Sequence, residues 1–247
     1  MKSISVKLPA AEQISIVPLA DLHVGDPHCD WRLVTSRIDG IKSDPNAYII
    51  CDGDLADTAT RNSIGDVYSN THNPNEQINL IVQLLSPVKD KILAISGSGN
   101  HEARVWKSDG VDMTERIARE LGVVDRYTPE SALLSVNLGK QQYKIYFTHG
   151  SGGGRKLGSK ANRLLELSDI ITADVFIMAH THVPVVTRKT RMEDVRGKLE
   201  QREMLFVNTS AALKYGGYGE IQGYTPTSMI NPTIYLSGKQ KFAWAVL

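Results

Sequence analysis

Apolar residues in this chain come in short runs that stop abruptly at polar clusters. Residues 14–20 run into Asp21-Leu22-His23, and 48–51 into Asp52-Gly53-Asp54-Leu55-Ala56-Asp57. Residues 92–96 lead through a glycine-rich turn to Gly99-Asn100-His101-Glu102, 145–148 to His149-Gly150, and 175–179 to His180-Thr181-His182. Short continuous apolar runs read as strands buried on both faces. Between them the spacing changes to a helical one. Leu33, Val34, Ile38 and Ile41 predict a helix over 31–41 that stops at Asp44-Pro45. Ile78, Ile81, Val82 and Leu85 predict another over 75–85, ended by Pro87, and 112–121 a third, stopped by Gly122. Alternation of this kind argues a mainly parallel sheet. Ligands of open α/β sheets bind beyond the carboxyl ends of the strands, so the polar clusters predict one shared site.

The second half is richer in strands. Residues 131–138 and 142–148 flank the hairpin signal Gly139-Lys140, and 183–191 and 201–208 flank Gly197-Lys198. Residues 233–237 and 241–246, parted by Gly238, form a last pair, and 161–168 read as helix after the glycine cluster 150–154. Residues 1–6 alternate like an edge strand. The mixed-charge stretch 188–203 reads as a solvated hairpin. No repeat or linker-like composition divides the chain, so 1–247 is expected to be one domain.

Composition narrows the function. The chain has 247 residues, 41% hydrophobic and 22% charged, with a net charge of +1. Such balance is ordinary for a globular protein and gives no reason to expect a nucleic-acid coat or a membrane-surface protein. Cys29 and Cys51 are too few for a disulfide framework, which points to a reducing cytoplasm. Neither a signal peptide nor a membrane span is visible.

Each polar cluster alone also reads as an ordinary loop: an Asp-Gly turn, a left-handed Asn, a hydrogen-bonded core histidine. Together they say more. Of seven histidines, all but His28 and His72 lie in these clusters. Imidazole, carboxylate and amide oxygen suit divalent manganese, iron or zinc. No thiolate is placed for a structural zinc site. The donors suffice for two ions sharing a carboxylate, an arrangement suited to in-line phosphoryl displacement.

The ordered set Asp-x-His, Gly-Asp-x-x-Asp, Gly-Asn-His-Glu, His-Gly and His-Thr-His, from Asp21 to His182, resembles the calcineurin-like metallophosphoesterase superfamily, in particular its compact phage or bacterial members. The resemblance implies an α/β four-layer sandwich, two mixed β-sheets flanked by helices. It implies that Asp21, His23 and His182 bind one ion, that Asn100, His149 and His180 bind a second, and that Asp54 bridges them. Manganese is the favoured metal, with iron, zinc or nickel as alternatives. A hydroxide bridging the ions is the implied nucleophile. His101 is the implied acid at the leaving oxygen, paired with Asp57, whose alternative role is a helix N-cap. Two positions depart from the family pattern. Ala179 stands where glycine usually precedes the last motif, which leaves the ligands intact. Asp57-Thr58-Ala59 stands where the protein phosphatases carry Asp-Arg-Gly, which argues against that branch and the diadenosine-polyphosphatase branch.

The substrate is less legible. Arg104 reads either as a phosphate contact or as half of a surface ion pair. The glycine-rich loop ending in Arg155-Lys156, continued by Lys160 and Arg163, reads either as a phosphate cradle or as a simple connection. Tyr215, Tyr218 and Tyr224 read either as rings that stack on bases or as part of a packed loop. A phosphodiesterase acting on nucleic acid or nucleotides, without a membrane partner, is the favoured reading, since no cap domain or protein-phosphatase signature appears. A phosphomonoesterase of small metabolites and a silent interaction scaffold are the alternatives. The oligomeric state does not follow from the chain.

Overall fold

In the computed structural model, which describes residues 1–60 and 67–247, the alternation becomes two six-stranded sheets among the described residues. In chain order the elements are β1 (Lys2–Leu8), β2 (Gln13–Leu19), α1 (Trp31–Ser43), β3 (Ala47–Asp52) and α2 (Pro74–Leu85). They continue with β4 (Ile92–Ser96), α3 (Glu102–Asp109), α4 (Met113–Glu120), β5 (Tyr127–Thr128), β6 (Ala132–Leu138) and β7 (Gln141–Thr148). The last are α5 (Leu157–Glu166), β8 (Val175–Met178), β9 (Val185–Val195), β10 (Lys198–Asn208), α6 (Gly217–Ile221), β11 (Thr233–Ser237) and β12 (Ala243–Val246).

The first sheet runs β12-β11-β2-β3-β4-β5 and the second β1-β6-β7-β8-β10-β9. Parallel pairing holds β2 through β5, as the strand–helix alternation predicts, while β11 and β12 add antiparallel partners and make the sheet mixed. The expected edge strand is β1, parallel to β6.

Successive residues of the central strands point into different cores. Ile49 and Cys51 pack with Val34, Ile38, Ile78, Ile81 and Ile117 beneath α1, α2 and α4, whereas Ile50 packs with Phe147, Ile177 and Val207 between the sheets. On β8, Val175 and Ile177 face that middle core, while Phe176 and Met178 join Leu164 and Phe206 under α5. Two-sided burial is why these strands read as unbroken apolar runs. The layers are therefore helix, sheet, sheet, helix. The middle core alone holds fully buried Phe147, Ile14, Ile16 and Ile50, side chains that each contribute roughly 1.5–3 kcal/mol on burial.

Helix starts follow local chemistry. Asp30 caps α1 by accepting the Leu33 N–H, and Asn73 and Glu76 form a reciprocal capping box at α2 with Pro74 in its first turn. Three elements differ from expectation. Helix α3 starts directly behind His101, where the motif reads as loop. Helix α5 starts at Leu157 rather than 161, because the Lys156 carbonyl already accepts the Ser159 and Lys160 N–H groups. The β9–β10 hairpin runs further than 183–191 and 201–208, because cross-strand charge pairs such as Arg202–Glu193 at 3.2 Å carry the ladder beyond the core. No helix among the described residues is long and apolar enough to cross a membrane.

Candidate metal centre

Strand register brings the polar clusters to one edge. Leu19 lies beside Cys51, Cys51 beside Ile95 and Asp52 beside Ser96, so the loops after β2, β3 and β4 leave together. In the second sheet Thr148 and Asn208 both pair with Met178, so His149, Ala179 and Thr209 leave together. The two edges are stitched by the Ala212 N–H donating to the Asp21 carbonyl at 2.9 Å and the His180 N–H donating to Asp21 Oδ2 at 3.1 Å.

The backbone turns sharply here. Asp21, His23, Asp54, His180 and His182 all have positive φ, between 47° and 66°. Left-handed backbone costs a residue with a Cβ roughly 1–2 kcal/mol, although Asp and His tolerate it better than most. Strain of this kind, concentrated at polar residues of one cluster, marks a site held for a purpose. Gly53, at φ +76°, admits a close approach: a Cβ there would lie 2.7 Å from the Gly99 backbone nitrogen.

All seven residues expected to hold ions converge. Asp21, His23 and His182 form one set whose donor atoms lie within 4.8 Å of one another, and Asp54, His149 and His180 another. His23 Nε2 and His182 Nε2 are 3.3 Å apart, and His182 Nε2 is 3.2 Å from Asp21 Oδ1. His149 Nε2 is 3.0 Å from Asp54 Oδ2, and Asn100 Oδ1 lies 3.3 Å from His149 Nε2 and 2.8 Å from His180 Nδ1. The His149 Nδ1–H donates to the Asp52 carbonyl at 2.9 Å, which turns Nε2 toward the cluster. Asp54 also meets His23 and His101 in a third set, which places it between the first two.

The donor set fits divalent cations. Asp21 Oδ1 is buried with three imidazole Nε2 atoms around it, His182 at 3.2 Å and His23 and His149 at 4.0 Å, but no well-aligned hydrogen-bond donor among the described residues, as a carboxylate oxygen reserved for a cation would be. Burial opposes ionisation of Asp21, but His182 and His149 outweigh it and lower its pKa. Burial likewise opposes protonation of His149, but Asp54 and Asp21 raise it to about 10, so a proton and a cation compete for this position.

His101 stands differently. Its Nδ1 lies 3.1 Å from Asp57 Oδ1 and 2.6 Å from the Asp57 carbonyl, and its own N–H donates to Asp54 Oδ1 at 2.9 Å. Burial pulls the imidazole down, but the Asp57 hydrogen bond and the Asp54 charge prevail and raise its pKa. Burial pushes Asp57 up, but hydrogen bonds from His101 and His23 hold it well below the usual carboxylate range. The N-cap alternative for Asp57 fails, because residues 58–60 are not helical and the carboxylate is spent on the histidines. Arg104 lies alongside, with guanidinium nitrogens 3.1 Å from each ring nitrogen of His101. Among the described residues it borders the cluster rather than an exposed carboxylate. Arg155 and Lys156 are exposed, and Arg155 sits over the Tyr224 ring at 5.4 Å, outside the cluster. Lys160 ties that loop back by donating to the Thr181 carbonyl at 2.9 Å.

Several supporting residues escaped sequence reasoning. Glu102 closes its motif, yet its role shows only in three dimensions: Oε2 accepts the Asp54 N–H at 3.0 Å and Oε1 accepts those of Leu55 and Ala56 at 2.7 and 3.2 Å. Burial and the Asp54 charge raise its pKa to about 7. Burial likewise raises Asp52 to about 8. Asn70 donates to Asp57 Oδ2 at 2.7 Å and is held by Gln77. Gln77 had a signal, a polar residue on the buried stripe of α2 beside Ile78, Ile81, Leu84 and Leu85.

The sequence profile of the calcineurin-like phosphoesterase family matches residues 22–203. Among solved structures, vacuolar protein sorting 29 from Cryptosporidium parvum aligns at 16% identity over 96% of this chain and 98% of that one, with a TM-score of 0.45. A metallophosphoesterase from Sphaerobacter thermophilus aligns at 15% identity over 94% and 86%, with a TM-score of 0.43. No curated protein matches the chain.

Proposed function

Because the chain belongs to the calcineurin-like phosphoesterase family, we propose that it hydrolyses phosphodiester bonds of nucleic acid or nucleotides with two divalent ions. The observation that carries this reading is the position of Asp54 between two ligand sets, with His101 held beside them by Asp57. Asp21, His23 and His182 would hold one ion, Asn100, His149 and His180 the other, and Asp54 both. When bound, such ions, manganese in preference to iron, zinc or nickel, supply a nucleophile at neutral pH and positive charge for the phosphoryl oxygens.

The chain's own residues do the rest. His101, with Nδ1 engaged by Asp57, presents Nε2 to the leaving oxygen and donates its proton there. Its raised pKa keeps that proton available near neutral pH. Arg104, whose Nη2 stands 3.1 Å from the same nitrogen, is the cation placed to take a phosphoryl oxygen there.

A base-bearing strand fits the rim. Tyr215 and Tyr218 are about half exposed, and Arg155 over Tyr224 adds a cation to the aromatic strip. Glycines seat this segment on the loop behind His23, since a Cβ on Gly216 or Gly217 would come 2.6 or 2.8 Å from the His28 ring. Arg155 and Lys156 take the flanking phosphates. The free thiols of Cys29 and Cys51 suit a reducing, cytoplasmic compartment.

With manganese supplied, bis-para-nitrophenyl phosphate is expected to turn over faster than para-nitrophenyl phosphate. The reverse order supports a monoesterase, and no turnover of either supports a scaffold.

A further inference from the structure

Asp57 serves two histidines with one oxygen. His23 Nδ1 lies 3.3 Å and His101 Nδ1 3.1 Å from Oδ1. The terminal torsion of an aspartate is broad, so a carboxylate anchored at one oxygen is free to swing. The other oxygen, Oδ2, accepts from Asn70 Nδ2 at 2.7 Å.

The Asn70 amide has only one way to face. Its Oδ1 accepts the backbone N–H of Ala59 at 3.2 Å, a group that can only donate, so Nδ2 must point at Asp57. Gln77 completes the constraint. Its Oε1 accepts the Thr58 N–H at 3.0 Å, which turns Nε2 to Asn70 Oδ1 at 3.0 Å and to the His72 carbonyl at 2.8 Å. Gln77 is fully buried, and Gly25 makes the room, since a Cβ there would stand 2.3 Å from Nε2. The Gly25 carbonyl in turn accepts the Thr71 N–H at 2.9 Å.

We propose that Asn70 and Gln77 are positioning residues for the hydrolysis: Gln77 fixes Asn70, Asn70 holds the Asp57 carboxylate, and Asp57 sets the rings of His23 and His101 together. The proposal rests on the diesterase reading above. Each ring then keeps a proton on Nδ1 and turns Nε2 to the reaction, where His101 carries the second proton it transfers, so one helix α2 side chain governs both a metal-facing and a proton-donating imidazole.

The test is the dependence of kcat on the leaving group, measured with manganese-loaded protein on aryl methyl phosphates running from nitrophenol to phenol. Asn70→Ala is expected to lose about 10–100-fold with phenol and much less with nitrophenol, because only the poor leaving group needs a well-placed acid. Asn70→Asp keeps the acceptor for Ala59 and Gln77 but removes the donor, and is expected to show the same selective loss. Asn70→Ser, which retains a hydroxyl donor, is expected to recover part of it. Gln77→Glu is expected to repeat the pattern. Loss of structure, or of His23 placement alone, lowers all substrates together, so an equal loss across the series overturns the proposal that both rings are set together, as does no loss in Asn70→Asp. Wild-type protein without turnover, or with turnover indifferent to His101→Ala, overturns the diesterase reading instead.

Discussion

Replacing Glu102 with glutamine exchanges one oxygen for an NH2 group in a side chain only 3% exposed, which accepts the N–H groups of Asp54, Leu55 and Ala56. Its carboxyl is raised from 4.5 to about 7 by burial and then by the Asp54 charge. The unfolded chain releases this proton near 4.5, whereas the folded chain keeps it to about 7. Folding therefore takes up a proton in that window. The group's contribution to stability is greatest below 4.5, declines as pH rises to about 7, and is constant above. The gap corresponds to about 3 kcal/mol. Glutamine cannot titrate, so between about pH 4.5 and pH 8 the stability of Glu102→Gln should gain about 3 kcal/mol relative to the wild type. Carboxylates remote from Glu102 titrate alike in both proteins and cancel in the difference, whereas Asp54, which shares its charge with Glu102, does not. Urea unfolding followed by circular dichroism, in the presence of a chelator, measures it at each pH. The same variant should bind cations about 10–100-fold more weakly, because an amide offers one acceptor oxygen where three N–H groups of the Asp54 turn need two. A stability difference that does not change with pH refutes the reasoning.

Two further outcomes follow from the geometry. His101→Ala should lose about 100-fold or more in kcat on phenolic diesters while retaining bound manganese, measured by steady-state kinetics and elemental analysis on the same sample. Gly53→Ala should lower the melting midpoint and metal content together, because its φ of +76° and the 2.7 Å approach to the Gly99 backbone leave a Cβ no room.

Much of the site was legible because its residues terminate strands. Two-sided burial writes β2, β3, β4, β7 and β8 as apolar runs, and the polar cluster after each run lands on the common edge. That logic located Asp21, Asp54, His149 and His180 without a contact map. What it misses is whatever depends on side chains meeting across the chain. Gln77 lies on a helix far from any motif, and only the space left by Gly25 brings it to the Asp57 network. Glu102 reads as part of a loop because glycine and asparagine precede it, yet it opens helix α3 and turns inward to the Asp54 backbone. Arg104 left two readings open, since the helical spacing that brings it onto His101 follows only once α3 is known. The tyrosine segment carries a short helix, α6, with too few residues to show a period.

The central claim is that Asp54 serves two ions, and counting ions tests it most directly. Titration of chelator-treated protein with manganese, read by calorimetry and elemental analysis, should give two ions per chain, and Asp54→Asn should weaken both together while Asp21→Asn weakens chiefly one. One ion in the wild type, or an Asp54→Asn variant that loses only one of two, would contradict the account.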